Sequence, residues 1–210
     1  MSTEVAIVGI GMHEFGRTEG VSGMEQGVIA VRRACADAGV KWEDVQFAFG
    51  GSAAAGAADT MVSQLGLTGL QFINVANGCA TGGSALFSAY NTIRSGVFDL
   101  GIAIGFDKHE RGAFRVDTRG AGLGNWYGAS GLALTTQFFG MKINRYMHEY
   151  GISHSTLGKV SEKAFRNGSM NPMAWRRKPI SEQEALDSLM LSYPLTQYMF
   201  CSPGEGGVEI

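Results

Sequence analysis

The chain has 210 residues, of which 45% are hydrophobic, 10% aromatic and 17% charged. That is enough apolar material to bury a sizeable core, so the expectation is a soluble globular domain carrying a long insertion, and disorder is excluded. The formal net charge of -2 offers no basic surface for nucleic acid or anionic lipid, because basic clusters such as Arg176, Arg177 and Lys178 are short.

"EVAIVGIGM" (4–12) is a β-branched run ending in glycine and reads as a strand. "MEQGVIAVRRACADAG" (24–39) has helical spacing at Val28, Val31, Ala34, Cys35 and Ala38 and then a glycine stop. "VQFAFGG" (45–51) and "QFINVAN" (71–77) read as buried strands, "ATGGSALFSAYNTIRSG" (80–96) as a helix and "FDLGIAIGFD" (98–107) as a fourth strand. Continuously apolar strands separated by helices predict a parallel sheet covered on both faces. The stretch from about 110 to 200 is aromatic-rich and punctuated by glycine, with amphipathic helices around 134–150 and 155–167. It reads as an insertion before a last strand in "GGVEI". No segment reaches the roughly 18 uninterrupted apolar residues of a membrane helix. The opening "MSTEVAIVGIGMHEFGR" has no basic start and no evident cleavage site, so the expected compartment is the cytoplasm. "VGIGMHEFG" contains GxG after a strand, but its third glycine comes too late for a dinucleotide-binding turn.

Three cysteines, Cys35, Cys79 and Cys201, are widely spaced with no CxxC or Cys/His cluster, which argues against a disulfide framework and a structural zinc. Cys35 falls on the apolar stripe of its helix and reads as structural. Cys201, in "MFCSPGEGG", fits either core packing or the border of a pocket. Cys79 falls on the turn between a strand and a helix whose first turns are Ala80, Gly82, Gly83, Ser84 and Ala85. Glycine in a helix costs about 1 kcal/mol relative to alanine, so close packing must compensate. A cysteine there is either a small packed residue or a nucleophile at a helix N-terminus, where free N–H groups and the helix dipole favour thiolate and offer donors to an oxyanion.

Together, "NGCATGGSAL", the preceding "FINVAN", the following "GVFDLGIAIGFDKHERGAF" and the late "YPLTQYMFCSPGEGG" resemble the N-terminal half of a thiolase. The similarity is greatest to sterol-carrier-protein-type thiolases, including acetyl-CoA acetyltransferase-like members, and to the related lipid-transfer-protein aldolases. The resemblance covers essentially the whole chain. It implies an α/β fold: a mixed, mainly parallel five-stranded sheet covered by helices on both faces, two such halves making a five-layered subunit. It implies a core over 1–110, an inserted loop domain over 111–200 above the acyl-CoA site, and the final core strand over 201–210. It also implies that Cys79 takes the acyl group as a thioester with its own N–H in an oxyanion hole, that coenzyme A is a co-substrate with no tightly bound cofactor or metal, and that "FINVAN" pairs with its copy in a homo-oligomer. Further expected partners are a second chain supplying the other thiolase half, or a zinc-ribbon/OB-fold protein.

In that family the catalytic histidine and a second, acid/base cysteine come from the C-terminal half. None of His13, His109, His148 or His154 lies in a matching motif, and the sequence stops inside the last strand of the first half. The expectation is therefore a fragment or a split subunit without full turnover of its own. His109 fits a pocket lining or a surface hydrogen-bonding role, and His148 a helix surface. Trp126 and Tyr127, in a glycine-rich turn, suit an acyl or pantetheine tunnel, whereas Phe138 and Phe139 read as the small core of the insertion. Trp175 beside Arg176, Arg177 and Lys178 offers a stacking face and cations for the adenine and phosphates of coenzyme A; a solvated charge run fits equally. Three functions follow: a thiolase-type acyltransferase, a retro-aldolase acting on a branched or sterol-derived 3-hydroxyacyl-CoA, or a non-catalytic acyl-CoA-binding subunit.

Overall fold

The computed structural model describes residues 4–112 and 114–210. Its first strand is shorter than the sequence predicts: of the 4–12 run only Gly11–Met12 (β1) pairs in a sheet. The antiparallel register Gly11↔Glu209 puts Ile10 opposite Ile210, so residues 4–9 face no residue of the partner strand; the segment lies close on helix α1 (Gly23–Ala38), where a Cβ on Gly9 would lie 2.5 Å from the Ala34 carbonyl oxygen and one on Gly11 would overlap that of Ala30. Ile7, Val8 and Ile10 are exposed. Helix α1 begins with a capping box, in which Ser22 Oγ accepts from the Glu25 N–H and the Glu25 carboxylate accepts from the Ser22 N–H. It ends on Gly39, whose φ of 69° is left-handed.

In chain order there follow β2 (Phe47–Gly51), α2 (Val62–Leu65), β3 (Gln71–Asn74), α3 (Thr81–Arg94) and β4 (Gly101–Lys108). Next come α4 (Asn125–Ala129), α5 (Thr135–Tyr150), α6 (His154–Met170), α7 (Glu182–Asp187), β5 (Met190–Ser192), β6 (Leu195–Thr196) and β7 (Glu205–Glu209). Two compact units result, Met1–His109 with Gly204–Ile210, and Glu110–Pro203.

The first unit is built on a five-stranded sheet of order β1-β7-β4-β2-β3. Strands β2, β3 and β4 are mutually parallel, while β7 runs antiparallel to both β4 and β1. Alternation along β4 divides the core. Ile102, Ile104 and Phe106 pack with Val28, Val31 and Cys35 of α1, and Ala103 packs with Ala85 and Ala89 of α3 and with Phe47. The fold is therefore an α/β half-sandwich with one long helix on each sheet face.

In the second unit α6 and α7 meet through Gly158, where a Cβ would lie 2.9 Å from the Glu182 side chain. Ser181 caps α7, and the Thr196 hydroxyl, fully buried, donates to the Ala185 carbonyl at 2.6 Å. His154 contacts the Pro194 carbonyl oxygen at 2.7 Å. Helix α7 and the β5–β6 ribbon escape the sequence reading because each is only a few residues long. Among the described residues no helix is long and apolar enough to cross a membrane.

Candidate functional site

Three parallel strands finish on the same edge of the sheet, the carboxyl edge where ligands of α/β folds bind. The chain leaves β3 with the Val75 N–H still donating to the Gly50 carbonyl at 2.7 Å. It then turns through Gly78, whose φ of +52° is left-handed, into a single 3₁₀ turn over Gly78–Ala80 that runs straight into α3. The Thr81 hydroxyl closes the turn, donating to the Gly78 carbonyl at 2.8 Å and accepting from the Asn77 N–H at 2.9 Å. Asn77 Nδ2 reaches Ser84 Oγ at 2.8 Å, tying the turn to the first turn of the helix. Two glycines in the sheet let this assembly sit down: a Cβ on Gly51 would overlap the Val75 carbonyl oxygen and the Thr81 methyl, and one on Gly105 would lie 3.4 Å from the Gly82 Cα. Gly82 thus faces the backbone of Gly105, whereas a Cβ on Gly83 would meet nothing within 4 Å, so the close packing expected of both glycines holds only for the first.

Cys79 occupies the middle of that turn and is exposed, whereas Cys35 is buried in the α1 core and Cys201 is exposed in the second unit. Burial, and after it the charge of Glu209, push the Cys35 thiol up. Among the described residues no acceptor pairs with the Cys79 backbone N–H.

At the end of β4, Asp107 accepts from the N–H groups of Ala53 and Ala54, both at 2.9 Å, from Lys108 N–H at 3.0 Å and from Ser52 Oγ at 3.2 Å. Partial burial pushes its carboxyl up, but those N–H groups and the neighbouring His109 outweigh it and hold the group below its ordinary value. His109 Nε2 lies 3.0 Å from Asp107 Oδ2. The sequence reading passed over Asp107, although an Asp-x-His spacing at the end of an apolar strand puts both side chains on one face. A second carboxylate, Glu205 in β7, is buried against Arg17 at 3.1 Å and Lys108 at 3.3 Å and accepts from Thr18 N–H and Oγ1, both at 2.8 Å. Burial opposes its ionisation, yet these donors hold its pKa at about 2.

The other histidines are placed differently. His13 is buried with Nδ1 on the Glu14 carbonyl at 2.8 Å, and His148 is exposed on α5.

In the second unit Trp126 and Tyr127 stack edge-to-face on α4, centroids 5.6 Å apart, with Trp126 mostly exposed. The Arg176 guanidinium lies 5.1 Å above the Trp175 ring and donates to Ser202 Oγ at 2.7 Å. Arg177 reaches the Pro172 carbonyl at 3.3 Å, and Lys178 is exposed. Phe139 is half exposed rather than part of a core; it borders an apolar groove of about 710 Å³ with Tyr146, Val160, Met199 and Cys201. Lys142 Nζ sits 4.2 Å from the Phe138 ring centroid.

Comparison with known proteins adds to this geometry. A model of the thiolase N-terminal domain matches residues 5–178. Sterol carrier protein 2 of Bos taurus is 29% identical over 98% of this chain and 40% of its own length. The benzoylsuccinyl-CoA thiolase subunit BbsB of Thauera aromatica is 28% identical over 98% of this chain and 54% of its own. The chain thus spans about half the length of the curated relatives it matches. Among solved structures, the Ltp2-ChsH2(DUF35) aldolase superposes with a TM-score of 0.81 and 26% identity over 97% of this chain and 54% of that one. A monomeric SCP2-thiolase-like protein of Mycobacterium smegmatis shares the fold, with a TM-score of 0.72, 15% identity, and coverage of 97% of this chain and 45% of that one.

Proposed function

Because the chain belongs to the thiolase family through its N-terminal domain, we propose that it is the nucleophile-bearing half of an enzyme that makes or breaks a carbon–carbon bond in an acyl-CoA. The observation that carries this reading is Cys79, an exposed thiol on a locked turn at the head of a 14-residue helix. The thiolate attacks the 3-keto carbonyl of a 3-ketoacyl-CoA, and the Cys79 N–H is a donor for the oxyanion. The C2–C3 bond then breaks, an acyl-CoA enolate departs, and the acyl group stays on sulfur until a second coenzyme A takes it. Trp126 and Tyr127 are proposed to line the acyl or pantetheine path, and Trp175, Arg176, Arg177 and Lys178 to hold the nucleotide end. The Arg176 guanidinium already lies over the Trp175 ring, so stacking of adenine on that same face would displace it.

Turnover is proposed to need a C-terminal thiolase half bringing the histidine and second cysteine. Its seat is the face of α3 that exposes Leu86, Phe87 and Tyr90, which with residues 5–9 and the start of β4 encloses about 540 Å³ of apolar space. Strand β3 forms a sheet edge with Ile73 exposed and is proposed to pair with its copy in a cytoplasmic homo-oligomer. A zinc-ribbon/OB-fold chain is a further proposed partner. The test is to add a separately produced C-terminal half to the 210-residue chain. Thiolysis should then rise from background by at least about 100-fold, and Cys79→Ala should abolish it.

A second reading is favoured by the likeness to the Ltp2-ChsH2(DUF35) aldolase: a retro-aldol cleavage of a 3-hydroxyacyl-CoA, which needs no thioester. In that case Cys79→Ala leaves cleavage in the completed enzyme intact. A chain that binds coenzyme A without turnover in any assembly would instead be a non-catalytic acyl-CoA-binding subunit.

A further inference from the structure

The apolar groove of about 710 Å³ in the second unit is formed by α5, α6 and the segment after β6. The two helices are joined through Gly151, whose φ of 63° is left-handed and whose N–H donates to the Met147 carbonyl. Gly140 seats α5 on β5, since a Cβ there would lie 2.5 Å from Ser192 Oγ. Helical spacing then turns Phe139, Ile143 and Tyr146 of α5, and Leu157, Val160 and Ser161 of α6, into the groove. The groove is not closed as a core: Leu195 is buried in it, but Phe139, Tyr146 and Val160 stay about half exposed or more. None of the residues proposed above to hold the acyl-CoA lines it.

Two polar groups decide what such a groove takes. Ser161 is only 6% exposed, and among the described residues its hydroxyl has no hydrogen-bond partner, whereas Ser169 further along α6 donates to the Arg166 carbonyl at 2.7 Å. A buried hydroxyl left unpaired is costly, so a ligand oxygen that reaches it gains a hydrogen bond with little left to desolvate. Lys142 lines the same groove, its ammonium 4.2 Å from the Phe138 ring centroid, and among the described residues it forms no ion pair. No Asp or Glu lines the groove, which therefore disfavours a cationic head and offers one unneutralised positive charge to an anionic one. One ammonium matches one negative charge; the several phosphate charges of coenzyme A would go largely unanswered. Lys142 precedes Gly151 by nine residues and Ser161 follows Ser153 by eight, so both stand away from the connection, with Tyr146, Ile152 and Leu157 nearer to it. From Phe139 to Tyr146 the α5 wall rises about 10 Å, which suits a medium-length chain.

We infer that this groove is a binding site for a free fatty-acid anion, with the carboxylate on Lys142 and Ser161 Oγ and the chain against Tyr146, Ile152 and Leu157. The site is independent of whether Cys79 is the nucleophile. Its ligand is the acid that hydrolysis of an acyl-CoA releases, not the thioester itself.

Cys201 lines the groove and is exposed, so it reports occupancy. The test combines calorimetric titration of the 210-residue chain at pH 7 with site-resolved iodoacetamide alkylation, using decanoate, decanol, decylamine and decanoyl-CoA as probes. Decanoate should bind once per chain and slow Cys201 alkylation at least about fivefold at saturation while the Cys79 rate holds, and decylamine should give no protection. Lys142→Met should weaken decanoate at least about fivefold and leave decanol unchanged. Ser161→Ala should weaken decanoate about threefold without lowering the Tm of the ligand-free chain, because the hydroxyl has no partner to lose. No saturable decanoate binding, equal protection by decanoate and decylamine, or a Lys142→Met variant that binds decanoate as the parent does would overturn the inference. Protection by decanoyl-CoA but not by decanoate would overturn it too and make the groove part of the acyl-CoA path. So would protection of Cys201 that grows with protein concentration alone, the mark of a surface occupied by a second copy.

Discussion

The two faces of the sheet in the first unit carry helices of similar length and are finished to very different degrees. Helix α1 buries Gly23, Gln26, Gly27, Val28, Ala30, Val31, Ala34 and Cys35, whereas α3 buries only Thr81, Ala85 and Ala89. The α1 face buries more of its helix, although Ala34, Cys35 and Ala38 border the apolar cavity that also reaches α3. The α3 face keeps Leu86, Phe87 and Tyr90 exposed and carries Cys79 at its head. The larger of the two core clusters lies on the α1 face, and the candidate chemistry sits on the α3 side.

The sharpest way to break that contrast is to cut one side chain from each face. Ile104→Ala, on the α1 face and fully buried, should cost about 2–5 kcal/mol in chemical denaturation. Phe87→Ser, on the α3 face and two-thirds exposed, should stay within about 0.5 kcal/mol in the isolated chain. Equal losses would show that the α3 face is closed by something else.

The cysteines give a second comparison. In the folded chain at pH 7, Cys79 should be alkylated at least about 100-fold faster than Cys35, because Cys35 is buried and its thiol is pushed up by that burial and by Glu209. Mild denaturant should close the gap; equal rates in the native chain would refute the difference.

The ends of β7 repeat the theme in carboxylates. Glu205 is ion-paired with a pKa held at about 2, whereas Glu209 is fully buried, has no hydrogen-bond partner for either oxygen among the described residues, and is pushed well up by burial. For Glu205 the folded value lies below the unfolded one, so its contribution is complete above the ordinary carboxylate value of 4.5 and is lost as pH falls through the folded value. Glu205→Gln should cost about 2 kcal/mol at pH 7, moderated by the partial exposure of Arg17 and Lys108, and flatten the acid limb of a pH–stability curve. For Glu209 the sign reverses. Its folded value is raised, so its contribution is intact below the ordinary value and is lost as pH rises through the folded one. Glu209→Met should therefore stabilise by about 1 kcal/mol at pH 7 and by more at pH 9. A variant less stable than the parent at both pH values would mean that Glu209 has a partner.

Much of this fold is legible in the sequence because period and punctuation agree locally. The apolar stripe from Val28 to Ala38, with Ser22 ahead and Gly39 behind, specifies α1, and the runs before Gly51 and Lys108 specify central strands. What fails is non-local or short. Residues 4–10 have strand composition, but pairing there depends on β7, almost 200 positions away in sequence. Helix α7 and the β5–β6 ribbon are too brief for periodicity to register. At the site, glycine beside Cys79 marks a turn and the apolar stripe around Cys35 marks a packed helix, but the exposure of Cys79 depends on what covers the turn in three dimensions. Asp107 and His109 were readable as an alternating pair at a strand end. Three of the four donors to Asp107, Ser52 Oγ and the N–H groups of Ala53 and Ala54, were not, because these come from the loop after β2.

The most direct test of the central claim, that Cys79 is the acyl-accepting nucleophile, is peptide mapping by mass spectrometry after the 210-residue chain is mixed with acetoacetyl-CoA and quenched in acid. One acetyl group per chain is expected, on Cys79, formed without continuing turnover and absent from Cys79→Ala. An unmodified Cys79 in the folded chain, or an acetyl group carried by another residue and unaffected by Cys79→Ala, would contradict it.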